Sequence, residues 1–211
     1  MTRLENDRRP PLEDPTPDLS PTATQLLEAA RRILLRDGLA AVTYEAVAKE
    51  SGETQSLIRY YFGDKAGLIR SLVESELYLE CRKYLNLLSE HTSGAGRYHA
   101  FLCEWADEAN DVEEYRAFLD VVADTLRSEE RQQLFRSFSD WYAELYGWVL
   151  ASVADDDCDD LEPLATLTCA VAEGLAIRRQ AGSHVDVEAA LEVWERMVHE
   201  HVGGRSSSSD G

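Results

Sequence analysis

The chain has 211 residues, enough for one or two domains and for an apolar core without disulfides or metal. Forty acidic residues against 21 basic ones give a formal charge of -19, which excludes a protein that coats nucleic acid by bulk positive charge. A hydrophobic content of 44% excludes disorder of the whole chain, and no apolar run approaches the roughly 18 residues of a membrane span.

From the N-terminus, residues 1–20 read as a disordered arm with no apolar segment that would serve as a secretory signal. Five of the six prolines lie at or before Pro21 and the sixth is Pro163, so the intervening tract is free of helix breakers. Leu26, Leu27, Ala30, Ile33 and Leu34 recur at helical spacing up to Gly38. Thr43 is placed to cap a helix over 44–51 that ends at Gly52, and Thr54 a second one running to Phe62. After Gly63, Asp64 starts a helix reaching about Ser89, and residues 93–96 read as a loop. Further helices are predicted over 97–109, 112–126, 128–154, 160–181 and 186–202, followed by a disordered Gly/Ser tail over 203–211. No stretch alternates with period two, so the predicted class is all-α.

Charge separates the chain into two kinds of segment. Residues 22–70 sum to +1, whereas residues 71–211 sum to -18. One segment can therefore approach phosphate without heavy repulsion. It contains two short predicted helices joined at a glycine, the layout of a helix-turn-helix. The first would bury Ala46 and Val47, the second Ile58 and Phe62. That leaves Gln55, Ser56, Arg59 and Tyr60 outward. Gln suits the adenine edge, Arg guanine or phosphate, and hydroxyls phosphate. The helix starts near Thr43 and Thr54 offer N–H groups to phosphate, and Lys65 adds a fixed cation.

Here the sequence resembles the TetR family of bacterial transcriptional regulators. Thr43, Val47, Ala48, Ser51, Gly52, Thr54, Ile58, Tyr61, Phe62, Lys65 and Leu68 fall in register with the family's pattern, and the similarity extends over about residues 22–72. Arg59 departs from it, since the family usually has Tyr there. The resemblance implies a three-helix DNA-binding domain at 21–66, followed by a larger helical effector-binding and dimerisation domain at 67–202. Its expected DNA contacts are Thr43, Tyr44, Thr54, Gln55, Ser56, Arg59, Tyr60, Tyr61 and Lys65.

Residues 98–148 hold eleven of the eighteen aromatic residues. Core packing and an apolar ligand cavity both account for such a cluster. The family places its inducer pocket in this region, which nominates Phe101, Trp105, Glu108, Phe118, Phe138, Trp141 and Tyr142. Glu104, Glu108 and Asp120 among these rings would suit a cation by charge and cation–π attraction, or would lie on solvated helix faces. The last two helices carry apolar stripes, and the resemblance implies a four-helix dimer interface through Leu167, Val171, Leu175, Leu191, Trp194 and Val198.

Neither a zinc-ligand spacing nor a catalytic constellation is present, so no metal, cofactor or enzymatic activity is expected. The reading is a cytoplasmic homodimer, without a membrane segment, that binds double-stranded operator DNA and a small hydrophobic effector of unknown identity. The alternative is a helical dimeric scaffold or partner-binding protein without DNA affinity.

Overall fold

The computed structural model describes residues 18–91, 93–127, 129–155 and 158–203. The arm expected over 1–20 lies outside these except for its last three residues, as does the tail after Gly203. Among the described residues there are nine α-helices, a single 3-10 turn and no strand. The helices are α1 (Pro21–Asp37), α2 (Tyr44–Ser51), α3 (Gln55–Phe62), α4 (Lys65–Glu90), α5 (Gly94–Asn110), α6 (Val112–Thr125), α7 (Glu129–Ala151), α8 (Leu161–Gln180) and α9 (Val187–Gly203).

The residues sort into two compact units: 18–82 with 112–138, and 83–111 with 139–203. This is a division by packing; two of its boundaries fall inside α4 and α7 and the third between α5 and α6. In the first unit, Ser20 caps α1 by accepting from the Ala23 N–H at 3.2 Å, and Pro21 occupies the first turn, where its missing N–H costs nothing. A 3-10 turn over Leu39–Ala41, not foreseen from the sequence, leads into α2. The core of this unit joins Leu26, Ile33, Val47 and Ile58 to Leu68, Leu72 and Leu77 of α4 and to Ala117 and Val121 of α6. A helix of eight residues is marginal alone, so α2 and α3 depend on that core and on their caps.

The second unit packs α5 against α8 and α9. Tyr98, Phe101, Leu145, Tyr146, Val149 and Leu150 are fully buried in it. The loop expected over 93–96 is instead the first turn of α5. Ser93 accepts from the Gly96 N–H at 3.1 Å, and a Cβ on Gly94 would lie 2.2 Å from the Ser152 carbonyl oxygen. Gly94 permits a close backbone approach rather than marking a break. Likewise α7 stops at Ala151, three residues before its expected end.

Candidate nucleic-acid interface

The α2–turn–α3 segment is built by its caps. The Thr43 hydroxyl accepts from the Ala46 N–H at 3.1 Å and that of Thr54 from the Leu57 N–H at 3.3 Å. Each hydroxyl keeps a proton to donate to an anion. Gly52 closes α2 in the left-handed region at φ 77°, which permits the sharp turn into α3. With Ile58 and Phe62 buried beneath, Gln55, Ser56, Arg59 and Tyr60 all face outward, and Tyr60 is 80% exposed. Thr54, Tyr61 and Lys65 are exposed as well, while Thr43 and Tyr44 are half-buried. Asp64 caps α4 by accepting from the Gly67 N–H at 2.8 Å, which sets Lys65 in the first turn.

Tyr44 does more than its sequence position suggested. Its hydroxyl donates to the Gly63 carbonyl at 2.8 Å, and the Arg59 guanidinium lies 5.7 Å from its ring centroid. On the flanking helices α1 and α4 arginines meet carboxylates: Arg32 and Arg36 hold Glu50 at 3.0 and 3.3 Å, and Arg70 holds Glu130 at 2.6 Å. The hydrogen bond from Arg32 depresses the Glu50 pKa most strongly.

Behind this surface, α6 is fastened to α1. Arg31 bonds Glu76 of α4 at 3.0 Å and Glu114 of α6 at 2.6 Å. Arg116 donates to the Leu35 carbonyl at 2.8 Å, and the Leu39 N–H donates to Asp120 at 3.0 Å. Burial raises the Glu76 carboxyl to about 7, against the opposing effect of Arg31. Asp120, which the sequence left either beside a cation or on a solvated helix face, holds a backbone N–H.

The residues nominated for an effector are distributed over both units. Phe101, Trp105, Glu108 and Tyr142 come together in the second unit. Phe101 and Trp105 meet edge to face at 4.8 Å, and the Trp105 and Tyr142 rings stack at 6.2 Å. The Trp105 indole donates to the Tyr142 hydroxyl, whose pKa burial drives well above its ordinary value. Tyr84, which the sequence reading passed over, donates to Glu108 at 2.9 Å and packs 4.7 Å from Phe101. The Lys83 ammonium bonds Glu108 and lies 3.4 Å from Glu104, so both carboxylates already hold a cation. Trp141 is half-buried, and its indole N–H has no hydrogen-bond partner among the described residues. Phe118 and Phe138 belong to the first unit, against Tyr115 at 5.8 Å and Phe135 at 5.9 Å. A groove of about 350 Å³ near the α8–α9 turn is lined by Asn110, Arg179, His184, Asp186 and Glu188, none of them nominated.

The dimerisation set divides as well. Leu167 is 55% exposed, and Val171 and Leu175 are partly so. Leu191 and Val198 are 3% and 1% exposed, inside their own unit, which corrects their expected outward place. The half-buried Trp194 donates its indole N–H inward to Thr168 at 3.0 Å. The apolar residues that α8 and α9 leave outward are Leu167, Ile177, Val193 and Met197.

Residues 26–72 match the family described as bacterial regulatory proteins, tetR family. Over 146 residues the chain is 27% identical to the uncharacterized HTH-type transcriptional regulator YfiR of Bacillus subtilis, covering 68% of this chain and 71% of that one. It is 26% identical over 185 residues to the HTH-type transcriptional regulator BetI of Rhizobium meliloti, covering 84% and 87%. Both relatives bear the names of transcriptional regulators rather than of enzymes. The fold is similar to that of a regulator from Saccharomonospora viridis in complex with choline, with a TM-score of 0.71, 18% identity and coverage of 87% and 98%. It is also similar to FadR of Bacillus subtilis in complex with stearoyl-CoA, with a TM-score of 0.64, 14% identity and coverage of 85% and 99%. Among the described residues no helix is long and apolar enough to cross a membrane.

Proposed function

We propose that this chain, whose residues 26–72 match the tetR family of bacterial regulatory proteins, is a regulator of that family: a cytoplasmic repressor, not an enzyme, which holds a palindromic operator as a homodimer and releases it on binding a small hydrophobic effector. Residues 21–66 read the DNA; residues 67–202 bind the effector and dimerise. The observation that carries this reading is the outward row Gln55, Ser56, Arg59 and Tyr60 on α3, between the helix starts capped by Thr54 and Asp64 and followed by Lys65. Two such rows on a symmetric dimer match the two halves of a palindrome. Leu167, Ile177, Val193 and Met197 are the apolar groups a second copy would cover.

The effector site centres on Phe101, Trp105 and Tyr142, with the unpaired Trp141 N–H as a donor to an acceptor on the ligand. Relatives of this fold accommodate choline in one case and stearoyl-CoA in another, so the fold does not set ligand charge. The -18 balance of residues 71–211 favours a neutral or cationic molecule over an anion. Bound effector biases α4, which contributes to both compact units, and with it the spacing of the two heads.

Fluorescence anisotropy with duplexes from the neighbouring intergenic DNA tests the reading. Lys65→Ala should weaken binding and lower the salt slope by about 1, and Gln55→Ala should relax base preference. Wild-type affinity and slope in both Lys65→Ala and Arg59→Ala would leave the scaffold alternative. The effector is sought by tryptophan fluorescence, titrating hydrophobic cations, neutral apolar compounds and acyl anions with and without operator. DNA must weaken effector binding by the factor by which the effector weakens DNA.

A further inference from the structure

We propose that Tyr44 is the positioning residue for Arg59, and that the two side chains together make α3 selective for a guanine in the major groove. This rests on the DNA-binding reading above and adds to it which side chain reads which base.

Two contacts place Tyr44 along the last turn of α3. Its ring lies beneath the Arg59 guanidinium at 5.7 Å, and its hydroxyl donates to Gly63 at 2.8 Å. Arg59 and Gly63 are one turn apart, and the Gly63 N–H closes that turn onto the Arg59 carbonyl at 2.9 Å. Tyr44 is the first residue of α2, directly after the Thr43 cap, so its backbone is fixed by the cap bond. One aromatic side chain thereby ties the start of the first helix to the end of the second and supports the cation on it.

The contrast with the neighbouring arginines gives this arrangement its meaning. Arg31, Arg32, Arg36 and Arg70 each meet a carboxylate within 3.3 Å. Among the described residues Arg59 meets none, and only a ring face supports it. A carboxylate would occupy the guanidinium fork and cancel its charge. An aromatic face does neither: it restrains the orientation of the planar group and leaves the N–H donors pointing away. A free arginine loses several rotatable bonds' worth of freedom on docking, and one already restrained loses less. The fork matches guanine O6 and N7, and bidentate contacts of this kind supply the strongest base discrimination. The Tyr44 hydroxyl is a protonated donor to Gly63 at neutral pH, and burial, opposed by Arg59 and reinforced by Asp64, raises its pKa further.

The test is selection from a randomised duplex library, followed by affinity measurements on the selected site and on its single-base variants, with the full-length protein. Arg59→Ala should lower discrimination at one guanine by about 10-fold. Tyr44→Leu should flatten preference at that same position while leaving the rest of the selected sequence unchanged. In the Arg59→Ala background, Tyr44→Leu should add no further loss of discrimination. Tyr44→Phe keeps the ring and removes the bond to Gly63, so it should keep the preference at some cost in affinity. Arg59→Lys should keep the salt slope but weaken the guanine preference, because an ammonium lacks the planar fork that the Tyr44 ring restrains, and serves as the readout if Tyr44→Leu does not fold. A Tyr44→Leu loss that persists undiminished without Arg59, or unchanged guanine preference in both Tyr44→Leu and Arg59→Lys, overturns the pairing. Salt-dependent binding that responds to Lys65→Ala while the pairing fails leaves the DNA-binding reading intact; absence of any DNA binding overturns both.

Discussion

Helices α2 and α3 turn their polar groups outward, whereas the unit built on α5, α8 and α9 pairs many of its own inward. In the first, threonine caps and a shared apolar core hold two eight-residue helices, and what they leave over is a row of side chains aimed at solvent. In the second, Trp105 bonds Tyr142, Tyr84 bonds Glu108, and Trp194 bonds Thr168, as burial of polar atoms demands. A duplex, being a stiff external object, is met by groups already exposed. A small molecule entering the second unit must separate rings and bonds that satisfy one another, or use a donor left over, such as the Trp141 indole.

The sharpest way to break this contrast is to put a charge on the inward and outward faces of one helix. Val198→Asp would bury an uncompensated carboxylate inside the second unit and should destabilise the chain by on the order of 3–5 kcal/mol, read from urea unfolding. Met197→Asp, on the exposed neighbouring position, should leave unfolding nearly unchanged and yield monomers by light scattering. Equal losses of stability would remove the distinction between the two faces.

A pH experiment addresses the interior of the first unit. The Glu76 carboxyl, raised from 4.5 to about 7 by burial, favours the folded state most when protonated. Its contribution is complete below about pH 4.5 and disappears as pH rises through about 7, a swing of roughly 3 kcal/mol at most. Glu76→Gln should therefore flatten the stability profile between those values, as measured by urea midpoints at about pH 5 and about pH 8. A profile as steep as that of the wild type would mean that another group titrates there. The smallest expected effect belongs to the caps: Thr43→Ala or Thr54→Ala should each cost about 1 kcal/mol in thermal unfolding.

Much of the first unit was legible because its signals are local. Thr43, Gly52, Thr54 and Gly63 bracket α2 and α3 within a few residues, and the buried pair Ile58 and Phe62 leaves the outward row determined. Ser20 and Pro21 carried an equally local signal for an earlier start to α1. What escaped was set by distant contacts. Gly94 reads as a breaker until Ser152 is seen beside it, and Asp120 reads as an acid among aromatics until Leu39 is seen to donate to it. Tyr44 gave no periodic signal, since its partners Arg59 and Gly63 lie across the turn. α9 carries one apolar stripe through Val187, Leu191, Val198 and Val202 and another through Val193 and Met197. Helical spacing alone does not say which stripe its own chain covers.

The fastening of α6 to α1 bears on how such proteins are recombined. Residues 114, 116 and 120 are remote in sequence from residues 31, 35 and 39, yet they supply the partners of Arg31, the Leu35 carbonyl and the Leu39 N–H. Ala117 and Val121 complete the same apolar core. The DNA head is consequently not a portable cassette ending at a helix boundary. A gene fusion joining residues 1–82 to a foreign sensor would leave a backbone donor and an apolar flank uncovered, unless the new sensor brought an equivalent of residues 112–125. Grafts that exchange sensors between relatives should be designed with two crossover points flanking that stretch, so that α1 keeps the helix it is sealed by.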